Sequence, residues 1–170
     1  MSVLDEVTAE VETARGGIDS SNDAVRAVIN EAGEKADQLE SLGLDAAAST
    51  LRAAQSDLEA ASASLVNASE SVTGVVGALG QIATPVSAKQ SAERLASIVS
   101  MFDSVAGALE TAVESTRQAY QRAEAAEVDR VTGAIAKLFE GLSSIRQGVT
   151  EAKKRVDEYR QQIEAASQGN

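Results

Sequence analysis

Ser41-Leu42-Gly43-Leu44-Asp45 separates two long stretches in which apolar residues return every seven positions. Before it run Leu4, Val11, Ile18, Val25, Ala32 and Leu39, with Val7, Ala14, Ser21 and Val28 as a companion row. After it run Leu51, Leu58, Leu65, Val72 and Leu79, beside Ala54, Ala61, Ala68 and Val75. A seven-residue period is the seam of one long helix packed on another. Gly43 fits the left-handed residue just past a helix end, with Leu44 able to fold back over the last turn. Asp45 fits the N-cap of the next helix. The segment therefore reads as the turn of an antiparallel helical hairpin. The first seam keeps its phase through Gly16-Gly17 and the polar run Asp19–Asp23, which predicts one continuous helix there.

The pattern recurs 84 residues, or twelve heptads, further on. Val11, Ile18 and Val25 fall on Leu95, Phe102 and Leu109; Leu51, Leu58, Leu65 and Val72 fall on Ile135, Leu142, Val149 and Val156. Ala54, Ala61 and Ala68 fall on Leu138, Ile145 and Ala152, and Asp45 on Asp129. Weak self-similarity of this kind is how internal repeats of helical units show themselves. The second turn, Ala125-Ala126-Glu127-Val128-Asp129, has no glycine, and the missing stop signal leaves a single rod as the alternative for the last two helices.

The joint between the halves is Gly80-Gln81-Ile82-Ala83-Thr84-Pro85. Gly74, Gly77 and Gly80 weaken the end of the second helix. Pro85 suits the first turn of the third helix with Thr84 as cap, or Ser87 caps instead with Gln90 three places on. These signals predict an all-α chain of two tandem antiparallel hairpins, residues 1–82 and 87–170 with 83–86 as linker. They form an elongated up-down-up-down four-helix bundle or coiled-coil rod, with helices about 55 Å long at ~1.5 Å per residue.

Composition agrees and narrows function. Of the residues, 44% are hydrophobic but 2% aromatic, so each turn of an Ala-rich seam buries little area, and long helices, close approach or a partner must compensate. The chain has no cysteine and no histidine. It lacks the commonest general base, the commonest zinc ligand and every thiolate. We expect no catalytic residue, no metal and no cofactor. Serines abound, but no Gly-x-Ser-x-Gly elbow appears, and Ser143-Ser144 near Lys137 reads as a solvated face. The carboxylate pairs Glu31/Glu34, Asp37/Glu40 and Asp19/Asp23 read as surface charge. An EF-hand counted from Asp19 would need glycine where Ala24 stands.

The net charge of −11 argues against nucleic acid as a partner. Residues 1–85 hold 4 basic and 14 acidic residues, residues 86–170 hold 11 and 12, so the halves present different electrostatic surfaces. Lys153-Lys154-Arg155, with Arg146 and Arg160, can pair with the acidic half, within the chain or across a dimer. The N-terminus is acidic and lacks the apolar run of a classical signal peptide, which points to a cytoplasmic protein or one exported without that signal. The uncharged stretch Val72–Val86 offers the competing reading of a membrane-active tip, although its polar residues make it a poor span. The expected partner is a protein: a second copy or another helical bundle.

Tyr120-Gln121-Arg122-Ala123-Glu124 has a Tyr-x-x-x-Asp/Glu pattern. Together with the hairpin layout it resembles the WXG100 (ESX-like) family, small helical hairpins exported by type VII secretion, here as two hairpins in one chain. The resemblance implies that Tyr120 and Glu124 share a helix face read by the secretion machinery. Of that family's Trp-x-Gly turn, this chain keeps Gly43. The Ala-, Val- and Gly-rich style also resembles uncharacterised all-helical families of actinobacteria.

Overall fold

The computed structural model describes residues 2–82 and 87–169. They form four helices, α1 (Val3–Ser41), α2 (Asp45–Ile82), α3 (Ala88–Ala125) and α4 (Asp129–Gln168), and no strand is present among them. At ~1.5 Å per residue each rod is about 60 Å long. α1 packs on α2, α2 on α3, α3 on α4 and α4 on α1, while the backbones of diagonal helices do not approach closely. The result is an antiparallel four-helix ring, and its closing seam, α1 against α4, is the least extensive of the four.

The seven-residue seams are the core. Val11, Ile18, Val25, Leu51, Leu58, Leu65, Val72, Leu95, Phe102, Leu109, Ile135, Leu142, Val149 and Val156 are all buried. The 84-residue shift holds in three dimensions: buried Val11, Ala14, Ile18, Val25 and Val28 correspond to buried Leu95, Ile98, Phe102, Leu109 and Ala112. α1 runs without interruption through Gly16-Gly17 and the polar run after it. α2 likewise runs through Gly74, Gly77 and Gly80 to Ile82, so these glycines do not end it. Packing overrides the propensity cost, and at Gly74 the missing side chain has a use, since a Cβ there would lie 3.1 Å from Met101 Cε on α3.

Both turns have one geometry. In the first, Gly43 has φ 76°; its N–H donates to Glu40 O (3.0 Å) and that of Leu44 to Leu39 O (2.9 Å). In the second, Glu127 has φ 57°; its N–H donates to Glu124 O (3.0 Å) and that of Val128 to Ala123 O (3.3 Å). These are two Schellman closures 84 positions apart. α3 and α4 are therefore separate helices, and Glu127 takes the left-handed place that Gly43 holds in the first hairpin. The backbone at Leu44 folds back as expected, but its side chain is 51% exposed and Leu42 is 74% exposed. Val128 packs against the core instead.

Asp45 and Asp129 are not caps. Leu44 O and Val128 O already accept the first helical bonds, from Ala48 and Thr132 (3.0 Å each), so each aspartate is the first helical residue, one place further on. The closure uses the residue after the left-handed one as the next cap, which leaves no room for a side-chain cap. A carboxylate at this place still sits favourably against the helix N-terminus. Ser87 caps α3, its Oγ accepting from Gln90 N–H at 3.2 Å; Thr84 and Pro85 lie outside the described residues. Ser2 caps α1 in a reciprocal box with Asp5. The Ser2 hydroxyl and backbone N–H hold the Asp5 carboxyl below its usual range.

Candidate interaction surfaces

The polar side chains mainly fasten helices to one another. Between the hairpins, Arg122 Nε lies 2.7 Å from Asp57 Oδ2, and Arg130 Nε 2.5 Å from Glu31 Oε1. Arg155 donates to both Glu6 and Glu10, its hydrogen bond to Glu6 being the main reason its guanidinium is raised above its ordinary value. In each of these pairs the acid comes from the first hairpin and the base from the second. The uneven charge in the sequence is thus complementary within the chain. Ion pairs at or near the surface add little net stability, so these contacts bear more on how the halves pair than on how stable they are.

Other basic residues of α4 stay inside the second hairpin: Arg146 reaches Glu110 (3.5 Å), Lys153 pairs with Asp103, and Arg160 joins Asp157 and Glu164 on its own helix. Carboxylates that read as mere surface charge also have partners. Asp37 and Glu40 converge on Arg52 at 2.8 Å each.

Along the outer edge of each hairpin these contacts form rungs at matching positions. In the first, Ser69 donates to Asp19 (2.8 Å), Ser62 to Asn22 (2.6 Å), and Gln55 Nε2 to Ile29 O (3.2 Å) while lying against Gly33. Adding 84 turns Asp19/Ser69 into Asp103/Lys153 and Gly33/Gln55 into Arg117/Phe139, whose guanidinium lies 5.6 Å from the ring centroid. The rungs are hydrogen bonds from hydroxyl and amide donors in one half, and an ion pair and a cation–π contact in the other.

Tyr120 is partly buried against the core of α3, and Glu124, one turn on, is exposed. They share a face near the end of the bundle that carries both turns, but only Glu124 projects freely. Val72, Val75 and Leu79 of the apolar stretch are buried among the helices, and residues 83–86 of it lie outside the described part. α3 is the one described helix whose length and composition would suit a membrane span; its Leu95, Ile98, Phe102, Val105 and Leu109 are buried in the bundle. No group of three or more potential metal-binding side chains occurs among the described residues. The clefts are open grooves between helices. One of about 530 Å³ lies over Ala9, Thr13, Gly17, Ile145 and Gly148 on the α1–α4 seam, and one of about 640 Å³ over Arg26, Ile29, Glu59, Ala63 and Val66 on the α1–α2 face.

The fold and these surfaces define an all-helical four-helix bundle. No family model, curated protein or solved structure matches the chain.

Proposed function

We propose that this chain is a non-enzymatic helical interaction or scaffold module that self-associates or binds another helical bundle. The observation that carries the reading is where the polar groups go: they form rungs and ion pairs between rods, and the grooves they leave are open strips suited to another rod. A small-molecule site would instead enclose its ligand among convergent polar groups. Sedimentation velocity across a concentration series tests it; a species that stays monomeric at every concentration and captures no helical partner defeats the reading.

The most specific form of this proposal is a substrate or partner of type VII secretion, resting on Tyr120 and Glu124. Export in the native host should fall for Tyr120→Ala and Glu124→Ala. Because Tyr120 is half-buried, Tyr120→Phe separates lost packing from lost recognition, and unchanged export in the alanine variants removes the secretion reading.

A further inference from the structure

We infer that the turn-bearing end of the bundle is a docking surface for a basic amphipathic helix of another protein. This rests on the reading of the chain as an interaction module and names the surface and the kind of partner. Both turns lie side by side at this end, because the helices pack antiparallel around one ring. Leu42 is 74% exposed and Leu44 51%, on either side of the exposed Gly43. The closure does not need them. In the second turn, which makes the same backbone bonds, their equivalents are Ala126 and Val128, and both pack against the core. The first turn thus keeps two adjacent large apolar side chains in water, which marks a contact surface more than scattered single ones do.

Charge identifies the occupant. Asp45 follows Leu44 directly, and Glu124, Glu127 and Asp129 belong to the neighbouring turn, about 10 Å away by ordinary helix spacing. All four are exposed, and none joins an ion pair among the described residues. The bases within about two turns of this end are mostly taken. Arg52 is held by Asp37 and Glu40, Arg122 by Asp57 and Arg130 by Glu31. Lys35 has no ion pair among the described residues and bonds Gln38 instead. The end is therefore apolar and net acidic together. A second copy docking end to end would bring the same four acids against these, and an anionic lipid surface would be repelled likewise. A basic partner with an apolar stripe satisfies both features.

The turns offer side chains and no main-chain edge, so the partner brings its own satisfied backbone, as a helix does. The N–H groups of Leu42, Gly43 and Leu44 donate to the carbonyls of Gln38, Glu40 and Leu39, and the second closure repeats this at Ala126, Glu127 and Val128. Four rods ~10 Å apart make an end about 20 Å across, which a helix of about 14 residues spans at ~1.5 Å per residue. About 400 Å² per partner is at the low end of specific interfaces. The complex is therefore weak, dissociating on the order of tens of micromolar.

The test is titration of the isotopically labelled full chain with a helical leucine–lysine peptide of that length, its leucines on one face, followed by amide chemical shifts. Shifts should concentrate at residues 41–46 and 124–130 and saturate with a dissociation constant of about 10–100 µM. L42S/L44S should raise that constant about tenfold or more and E124Q/E127Q several-fold, whereas Val66→Ser on the side of the bundle should leave it unchanged. A peptide of the same composition with its leucines scattered should bind about tenfold more weakly. All these side chains are exposed, and circular dichroism of each variant confirms that the helices are intact. Shifts spread along the helix sides, a constant indifferent to L42S/L44S, or no binding at all would overturn the surface. Leucine-dependent flotation with neutral phosphatidylcholine vesicles, or leucine-dependent self-association in sedimentation, would overturn it too, since each gives the two leucines a different occupant. Any of these failures leaves the interaction-module reading standing if the chain still self-associates or captures a helical partner; a chain that does neither loses both.

Discussion

The first hairpin, α1 with α2, and the second, α3 with α4, bury the same positions on an 84-residue register, yet differ in nearly every contact outside the core. The alanines Ala54 and Ala61 of the first seam stand where the second has Leu138 and Ile145. One turn has glycine at its left-handed place and the other glutamate. One outer edge is held by hydroxyl and amide bonds, the other by charges. A repeated core thus fixes the backbone path, while the outer edges are free to diverge and make two distinct surfaces from one plan.

The largest test of this contrast lies in the core. Leu58 and Leu142 are equivalent and fully buried. Truncating either to alanine should cost about 2–5 kcal/mol by urea denaturation. Leu58→Ala should cost the more, because Ala54 and Ala61 are too short to lean into the cavity, whereas Leu138 and Ile145 are long enough to do so. A larger loss for Leu142→Ala would contradict the idea that the first seam is the less adaptable.

The turns come next. Gly43→Ala forces a Cβ into a left-handed conformation and should destabilise by about 1 kcal/mol, while Glu127→Gly relieves the same strain and should stabilise by about 1 kcal/mol. Opposite shifts in thermal midpoint would show the two closures to be energetically equivalent.

A smaller effect is expected from moving the chemistry of one edge to the other. Ser69→Lys places in the first hairpin the base that Lys153 supplies in the second, opposite Asp19. It should change stability by less than about 0.5 kcal/mol, and any gain should vanish in molar salt.

The caps give the smallest difference. α1 begins with Ser2 and Asp5, α3 with Ser87 and the non-titrating Gln90. Because hydrogen bonds from Ser2 lower the Asp5 carboxyl, its contribution is complete above the usual aspartate range. That contribution is lost as pH falls through the lowered value. Amide chemical shifts followed by NMR should change at the start of α1 on acidification and stay unchanged at Gln90.

The seams and the first turn were legible because a seven-residue period reports which face is buried, and Gly43 reports a positive φ. The second closure was not, because Glu127 carries no such signal; only its place 84 residues after Gly43 marks it. The cap of α2 was read one residue late, at Asp45 instead of Leu44, since a Schellman closure hands the cap to the residue after the left-handed one regardless of its side chain. The ties between hairpins, such as Arg155 to Glu6 and Glu10, were legible as opposite charge but not as pairs. Periodicity fixes a helix's facing side and leaves its height against a neighbour open. The exposed leucines could have been found where the repeat changes character, at Leu42 against Ala126.

Because α4 returns to lie against α1, Val3 shares a surface cleft with Tyr159 and Gln162, and both tight turns sit at the opposite end. Which hairpin is synthesised first is then immaterial to the finished ring. A circularly permuted chain that enters at Ser87 and leaves at Ile82, its old ends joined by a short flexible bridge, has every native contact available to it.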